Sequence, residues 1–169
     1  MASDPVREER IALLEHHSSQ MQAYKIYAFS LIAGFFGVAQ LVSALRLTPQ
    51  VATTLVWLAI GFVAGGLFFC LGRFMWYGAM VSQTIIASLV IDPKSDRPPM
   101  YQLENCIGGN VQAVFKGESP VGRKTNSLAR WLIGLGYNRL GLLAWSFGIL
   151  IAVIAIRLAM ILASCICSA

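Results

Sequence analysis

No residue from Ile26 to Leu45, or from Val51 to Leu71, carries a charge, and only Arg46-Leu47-Thr48-Pro49-Gln50 separates the two runs. Each run is about 20 residues long, which at about 1.5 Å of rise per residue matches a hydrocarbon core of about 30 Å. In hydrocarbon no water is available to backbone N–H and C=O groups, so a segment that crosses it alone must be helical. The pair therefore predicts a transmembrane helical hairpin, and the rest of the chain has to be arranged around it.

The 169-residue composition agrees: 57% of residues are hydrophobic and only 12% charged, about half the charged share of an ordinary soluble domain. Mean hydropathy is +0.66. This leaves room for three or four spans and one modest extramembrane segment, not for a separate catalytic domain. A net charge of +5 raises nucleic acid as a partner, but the 13 Lys and Arg are spread along the loops without forming a block. They are better read as topology signals and as contacts for anionic lipid headgroups. Four cysteines, Cys70, Cys106, Cys165 and Cys167, include no C-x-x-C pair and build no disulfide framework. With Asp4, Arg7, Glu8, Glu9, Arg10, Glu15 and Lys25 in the first 25 residues, a cleavable signal sequence is not expected there, and the first span is expected to direct its own insertion.

Four segments follow in order. Residues 1–22 predict an amphipathic helix, with Asp4 as N-cap, Pro5 at the first helical position, and Val6, Ile11, Leu14 and Met21 on its apolar side. His16-His17 are adjacent, about 100° apart on a helix, and cannot chelate one metal as an i, i+4 pair could; a solvated or interfacial pair is expected. Residues 23–91 hold the hairpin, with Tyr24 and Tyr27 at the start of its first span and Arg73, Trp76 and Tyr77 as an interface anchor at the end of its second. Residues 92–127 open on the helix-stopping run Asp92-Pro93-Lys94-Ser95-Asp96-Arg97-Pro98-Pro99 and form a polar loop. Within it, Gly117–Thr125 imitates a P-loop, but Arg123 intrudes before Lys124 and no strand precedes it; a basic membrane-facing loop is the better reading. Residues 128–169 give an interfacial segment with Arg130, Trp131, Tyr137 and Arg139, then a last span from Leu140 to about Leu162.

Phe74–Ile91 is uncharged and long enough for a fourth span, although Ser82-Gln83-Thr84 interrupts it. The positive-inside rule decides between the alternatives. Three spans put eleven Lys and Arg on one side against Arg46 alone on the other; four spans split them four to eight. Three are favoured. Val51–Ile91 then becomes one long helix whose apolar outer half must be covered by the N-terminal helix, the loop, or a second copy of the chain. The expected fold is thus an all-α integral membrane protein with an N-terminal amphipathic helix, a hairpin with a long second helix, a cytoplasmic loop and a C-terminal transmembrane helix. The N-terminus and the 92–127 loop are expected to be cytoplasmic, in a bacterial inner membrane or its equivalent, with the C-terminus on the opposite side.

Small residues suggest where helices meet. Ser30, Gly34, Gly37 and Ala44 form a stripe in the first span, and Gly61-x-x-x-Gly65 marks the second. Gly141, Ala144, Gly148, Ala152, Ala155, Ala159 and Ala163 make the longest stripe, expected to dock on the hairpin or on a copy of itself. Arg157, the one charge inside a span, points nearly opposite that stripe. It is expected to avoid the tight seam and to snorkel toward headgroups, or to meet a water-filled cavity or another subunit. Gln40 and Gln83 are the candidate polar contacts. Cys165 and Cys167 are expected to fill apolar space.

No Asp, Glu or His lies in any predicted span, so neither membrane-embedded acid–base catalysis nor proton-coupled transport has its usual residues, and no metal or cofactor is expected. Two functions remain. The first is a structural or accessory subunit, packed by small-residue stripes against its own copies or other membrane subunits. The second is a homo-oligomeric pore or membrane-disrupting effector, lined by Gln40, Ser82, Gln83, Thr84 or Arg157.

Overall fold

The computed structural model describes the backbone of residues 5–90 and 126–167. Asp4, the 92–125 part of the polar segment with Cys106 and the Gly117–Thr125 run, and the side chains of Cys165 and Cys167 lie outside the described residues. Within them the chain is all helical: α1 Pro5–Ala44, α2 Pro49–Val90, α3 Ser127–Tyr137 and α4 Arg139–Cys167. Three helices are long and apolar enough to cross a membrane, through Arg10–Ala44, Pro49–Ile85 and Arg139–Ser164.

One boundary differs from the sequence expectation, and the long α2 agrees with it. The N-terminal segment and the first span form a single 40-residue helix. Polarity changes near Lys25, but no Gly or Pro occurs between Pro5 and Gly34 to stop hydrogen-bond propagation. A fourth span would require a turn near Leu71–Phe74, and α2 instead runs unbroken for 42 residues. The true breaks are short. Arg46 takes a left-handed φ of 47° between α1 and α2, and Pro49 opens α2, where its missing N–H costs nothing. Asn126 caps α3 by accepting the Leu128 N–H, and Asn138 separates α3 from α4.

The chain divides into two compact units. Unit 1 takes Met1–Lys25 and Leu71–Asn138; unit 2 takes Ile26–Cys70 and Arg139–Ala169. Unit 1 has a conventional core, in which Ile133 of α3 packs against Leu13 of α1 and Met75, Trp76, Ala79 and Met80 of α2. Its α1 face is Leu13, Leu14, His17, Met21 and Tyr24, whereas Ile11 points outward. His17 is buried, not the solvated residue that its pairing with His16 suggests.

Unit 2 is built the other way round. Phe29, Phe36 and Leu41 of α1, Phe62 of α2, and Leu140, Ile151 and Leu162 of α4 all face outward, Phe29 at 71% and Leu140 at 79% exposure. In water an apolar surface this continuous would drive aggregation; facing lipid it costs nothing.

Candidate functional site

Two arrangements stand out, one in each unit. In unit 1 the α2 sequence places Arg73, Trp76, Tyr77 and Met80 at three- and four-residue steps, hence on one helix face. Arg73 is only 3% exposed. Its Nη1 donates to the Gly136 carbonyl at 2.7 Å and its Nη2 to the Tyr77 hydroxyl at 2.7 Å. The guanidinium lies 4.7 Å from the Tyr77 ring centre and 5.7 Å from that of Tyr24, itself stacked on Tyr77 at 5.8 Å. His17 completes the group, 6.0 Å from Tyr77.

The chemistry explains why an arginine sits here. The last four carbonyls of a helix lack intrahelical donors, and Gly136 is the next-to-last residue of α3. A cation at that end also meets the negative pole of the helix dipole. Two aromatic faces supply further attraction, and a planar fork reaches carbonyl and hydroxyl together where an ammonium could not. Gly136 is required as well. A Cβ there would collide with the Gly72 carbonyl and Trp76 Cβ, so α3 sits directly on the α2 backbone. Trp76 closes the contact against Tyr137, ring centres 5.1 Å apart. Arg73, Trp76 and Tyr77 are therefore a clasp for α3, with Arg73 and Tyr77 enclosed by protein.

Arg73→Met should leave the Gly136 carbonyl and Tyr77 hydroxyl without their donor and cost about 3 kcal/mol of stability. Arg73→Lys should recover only part of it. Thermal unfolding in detergent measures both; equal melting of wild type and Arg73→Met would show that the clasp is not structural.

In unit 2 the α2–α4 seam runs through Gly61 and Gly65, both buried. A Cβ on Gly65 would come within 2.6 Å of the Ser146 carbonyl oxygen, and one on Gly61 within 2.9 Å of Leu150 Cδ1. The α4 side of the seam is Leu142, fully buried at 0%, with Ser146, Leu150 and Val153. Gly66 meets Leu31 of α1 in the same close manner.

The long stripe of α4 does not dock on the hairpin. Gly148 has nothing within 4 Å of a Cβ position, and Ala152, Ala155 and Ala159 are exposed. The reason is the ridge opposite. Leu150 and Val153 project onto Gly61 and the Ser146 backbone lies against Gly65, so this face of α4 fits the smooth face of α2 and the small-residue face of α4 turns away. Arg157 follows the bulky face. It lies on the same side as Leu142, Ser146, Leu150 and Val153, opposite the small-residue stripe as its spacing predicts, and is half-buried.

Gly34 and Gly37 of α1 are likewise open. Gly34 borders an apolar cleft of about 400 Å³ walled by Leu31, Phe35, Val38, Leu58, Phe62 and other residues of the hairpin. Gln40 is exposed, and its carbonyl accepts the Ser43 hydroxyl at 2.7 Å. The polar triplet of α2 splits: Gln83 and Thr84 are buried in unit 1, whereas Ser82 is exposed. Thr84 and Ser82 donate to the Met80 and Gly78 carbonyls of their own helix. These three residues do not present one polar lining.

Among the described residues no group of three His, Cys, Asp or Glu could hold a metal ion. The roles that sequence reasoning passed over are those of His17 as a buried ring beside Tyr77, Tyr24 as a cation-binding ring, and Gly136. The first two share the α1 stripe with Leu13 and Met21, a signal available in the spacing. Gly136 carried none, since its need for a bare Cα comes from α2.

Neither known protein families, characterised proteins nor solved structures yield a match. The functional reading rests on this geometry alone.

Proposed function

We propose that the chain is a multi-pass membrane protein that serves as a structural or accessory subunit, joined to other transmembrane helices through the open small-residue face of α4. The supporting observation is the contrast between the two smooth faces of unit 2. Gly61 is already met by Leu150 and Val153, and Gly65 by the Ser146 backbone. Gly148, Ala152, Ala155 and Ala159 are of the same character and unfilled. In lipid, close backbone approach is a main source of helix association, and such a face supplies it. Unit 1, clasped around Arg73, is read as the cytoplasmic part, with the C-terminus across the membrane, from the placement of Lys and Arg.

A bulky residue on the open face separates folding from assembly. Gly148→Leu should leave the melting of the purified chain unchanged, because nothing lies within 4 Å of that position. It should abolish the higher-mass species recovered from gently solubilised membranes. Retention of that species would remove α4 as the docking face, and ion flux from the chain alone in liposomes would favour a pore instead. Reporter fusions at the two termini test the topology; both ends in one compartment would contradict it.

A further inference from the structure

Arg157, the charge within the apolar run of α4, has no counter-ion anywhere in the apolar parts of this chain. All eight Asp and Glu lie at or before Glu15 or between Asp92 and Glu118. None occurs along the apolar stretches of α1, α2 or α4, so a second copy packed alongside in the bilayer brings no carboxylate to Arg157. The surrounding protein offers little more. Gly65 faces Ser146 while Gly61 faces Leu150 and Val153, so α2 and α4 run antiparallel, and the same register carries Arg157 to the level of Thr54 and Trp57. The hydroxyls near that level, on Thr53 and Thr54, donate along their own helix to Pro49 and Gln50. Arg157 Nε is buried without a hydrogen-bond partner, and its guanidinium meets no acceptor among the described residues.

The level of the residue selects the ligand. Thr54 is five residues inside the start of α2, about 7.5 Å along the axis, so the guanidinium lies within snorkelling reach of the hairpin end. Arg46 stands exposed in the turn at that end. The anion a bilayer supplies at this depth is the lipid phosphate, and an arginine fork binds phosphate bidentately. Exposed Ile156, Leu158 and Leu162 flank the site, an apolar surround that acyl chains cover and a free ion does not. We infer that Arg157 binds the phosphate of an anionic phospholipid in the leaflet at the hairpin turn. The site rests on α4 being a membrane span and is independent of which assembly the chain joins.

The full chain, purified in detergent, is titrated with phosphatidylglycerol and separately with inorganic phosphate, and bound lipid is counted by native mass spectrometry. Wild type should hold phosphatidylglycerol about tenfold more tightly than Arg157→Gln, the scale of a charge-assisted hydrogen bond. Arg157→Lys should fall between them, keeping the charge and losing the fork; it carries the comparison if Arg157→Gln does not fold. Equal retention by all three overturns the assignment, as does a loss confined to Arg46→Gln. Competition by inorganic phosphate at matched concentration would make the lipid source wrong. Alkaline extraction of native membranes is read alongside: release of the chain would reject the span itself, a failure distinct from retention of an Arg157→Gln protein that binds lipid normally.

Discussion

Gly136→Ala is expected to unseat α3 from unit 1. The added methyl would collide with the Gly72 carbonyl and the Trp76 Cβ, and neither belongs to the end of a flexible side chain. The helix must move outward, which draws the Gly136 carbonyl away from Arg73 and opens the packing of Ile133 on Trp76 and Met80. Overpacking alone costs about 1–3 kcal/mol, and loss of the buried donor pair adds to it, so destabilisation of about 4 kcal/mol is expected. Melting followed by tryptophan fluorescence reports it directly, since Trp76 and Trp131 both belong to unit 1. Because Arg73→Met removes the same contact from the other side, the two substitutions should be strongly non-additive. A double variant melting at the sum of the two single losses would show that the clasp does not act as one element.

Gly65→Leu should separate α4 from the hairpin. At this position even one methyl group meets the Ser146 carbonyl at 2.6 Å, and backbone on both sides leaves nothing that can rotate away. Displacing α4 would also uncover Leu142 and pull Leu150 and Val153 away from Gly61. Repacking a core around an oversized residue costs about 3 kcal/mol, and for a seam running along most of a helix the loss should reach the folded state itself. The expected readout is accessibility: a cysteine placed at position 146 should label slowly in the parent and rapidly in Gly65→Leu. Gly34→Ala is the internal control. Its Cβ meets nothing within 4 Å, and alanine exceeds glycine in helix propensity by about 1 kcal/mol, so that variant should melt no lower than wild type. A loss equal to that of Gly65→Leu would mean that the α2–α4 seam is wrongly placed.

The difference between these glycines shows where sequence reasoning stopped. Gly34, Gly61, Gly65 and Gly148 all sit in apolar helices with small neighbours, and each is a plausible packing site by spacing. Only Gly61 and Gly65 are filled. Smoothness is half of a contact, and the other half lies on a different helix, here Leu150 and Val153 at Gly61 and the Ser146 backbone at Gly65. The same holds for Arg73, which beside Trp76 and Tyr77 reads as an interface anchor because those residue types favour headgroups. A carbonyl 63 residues later, at a helix end that only the fold brings near, makes the same three residues a clasp, with Arg73 and Tyr77 buried.

What the sequence determined by itself is therefore what depends on one segment at a time. Uncharged runs of about 20 residues, a Pro-containing turn and a lopsided distribution of Lys and Arg establish long apolar helices and a hairpin, because transfer into lipid and helix formation are sums over local residues. The tertiary structure alone decided that Gly61 and Gly65 are the filled glycines, and that the longest small-residue stripe, with Arg157 on the opposite side of α4, remains open. Those choices depend on which of several similar helix faces finds a complementary ridge, a property of pairs of helices distant in sequence and not of either helix alone.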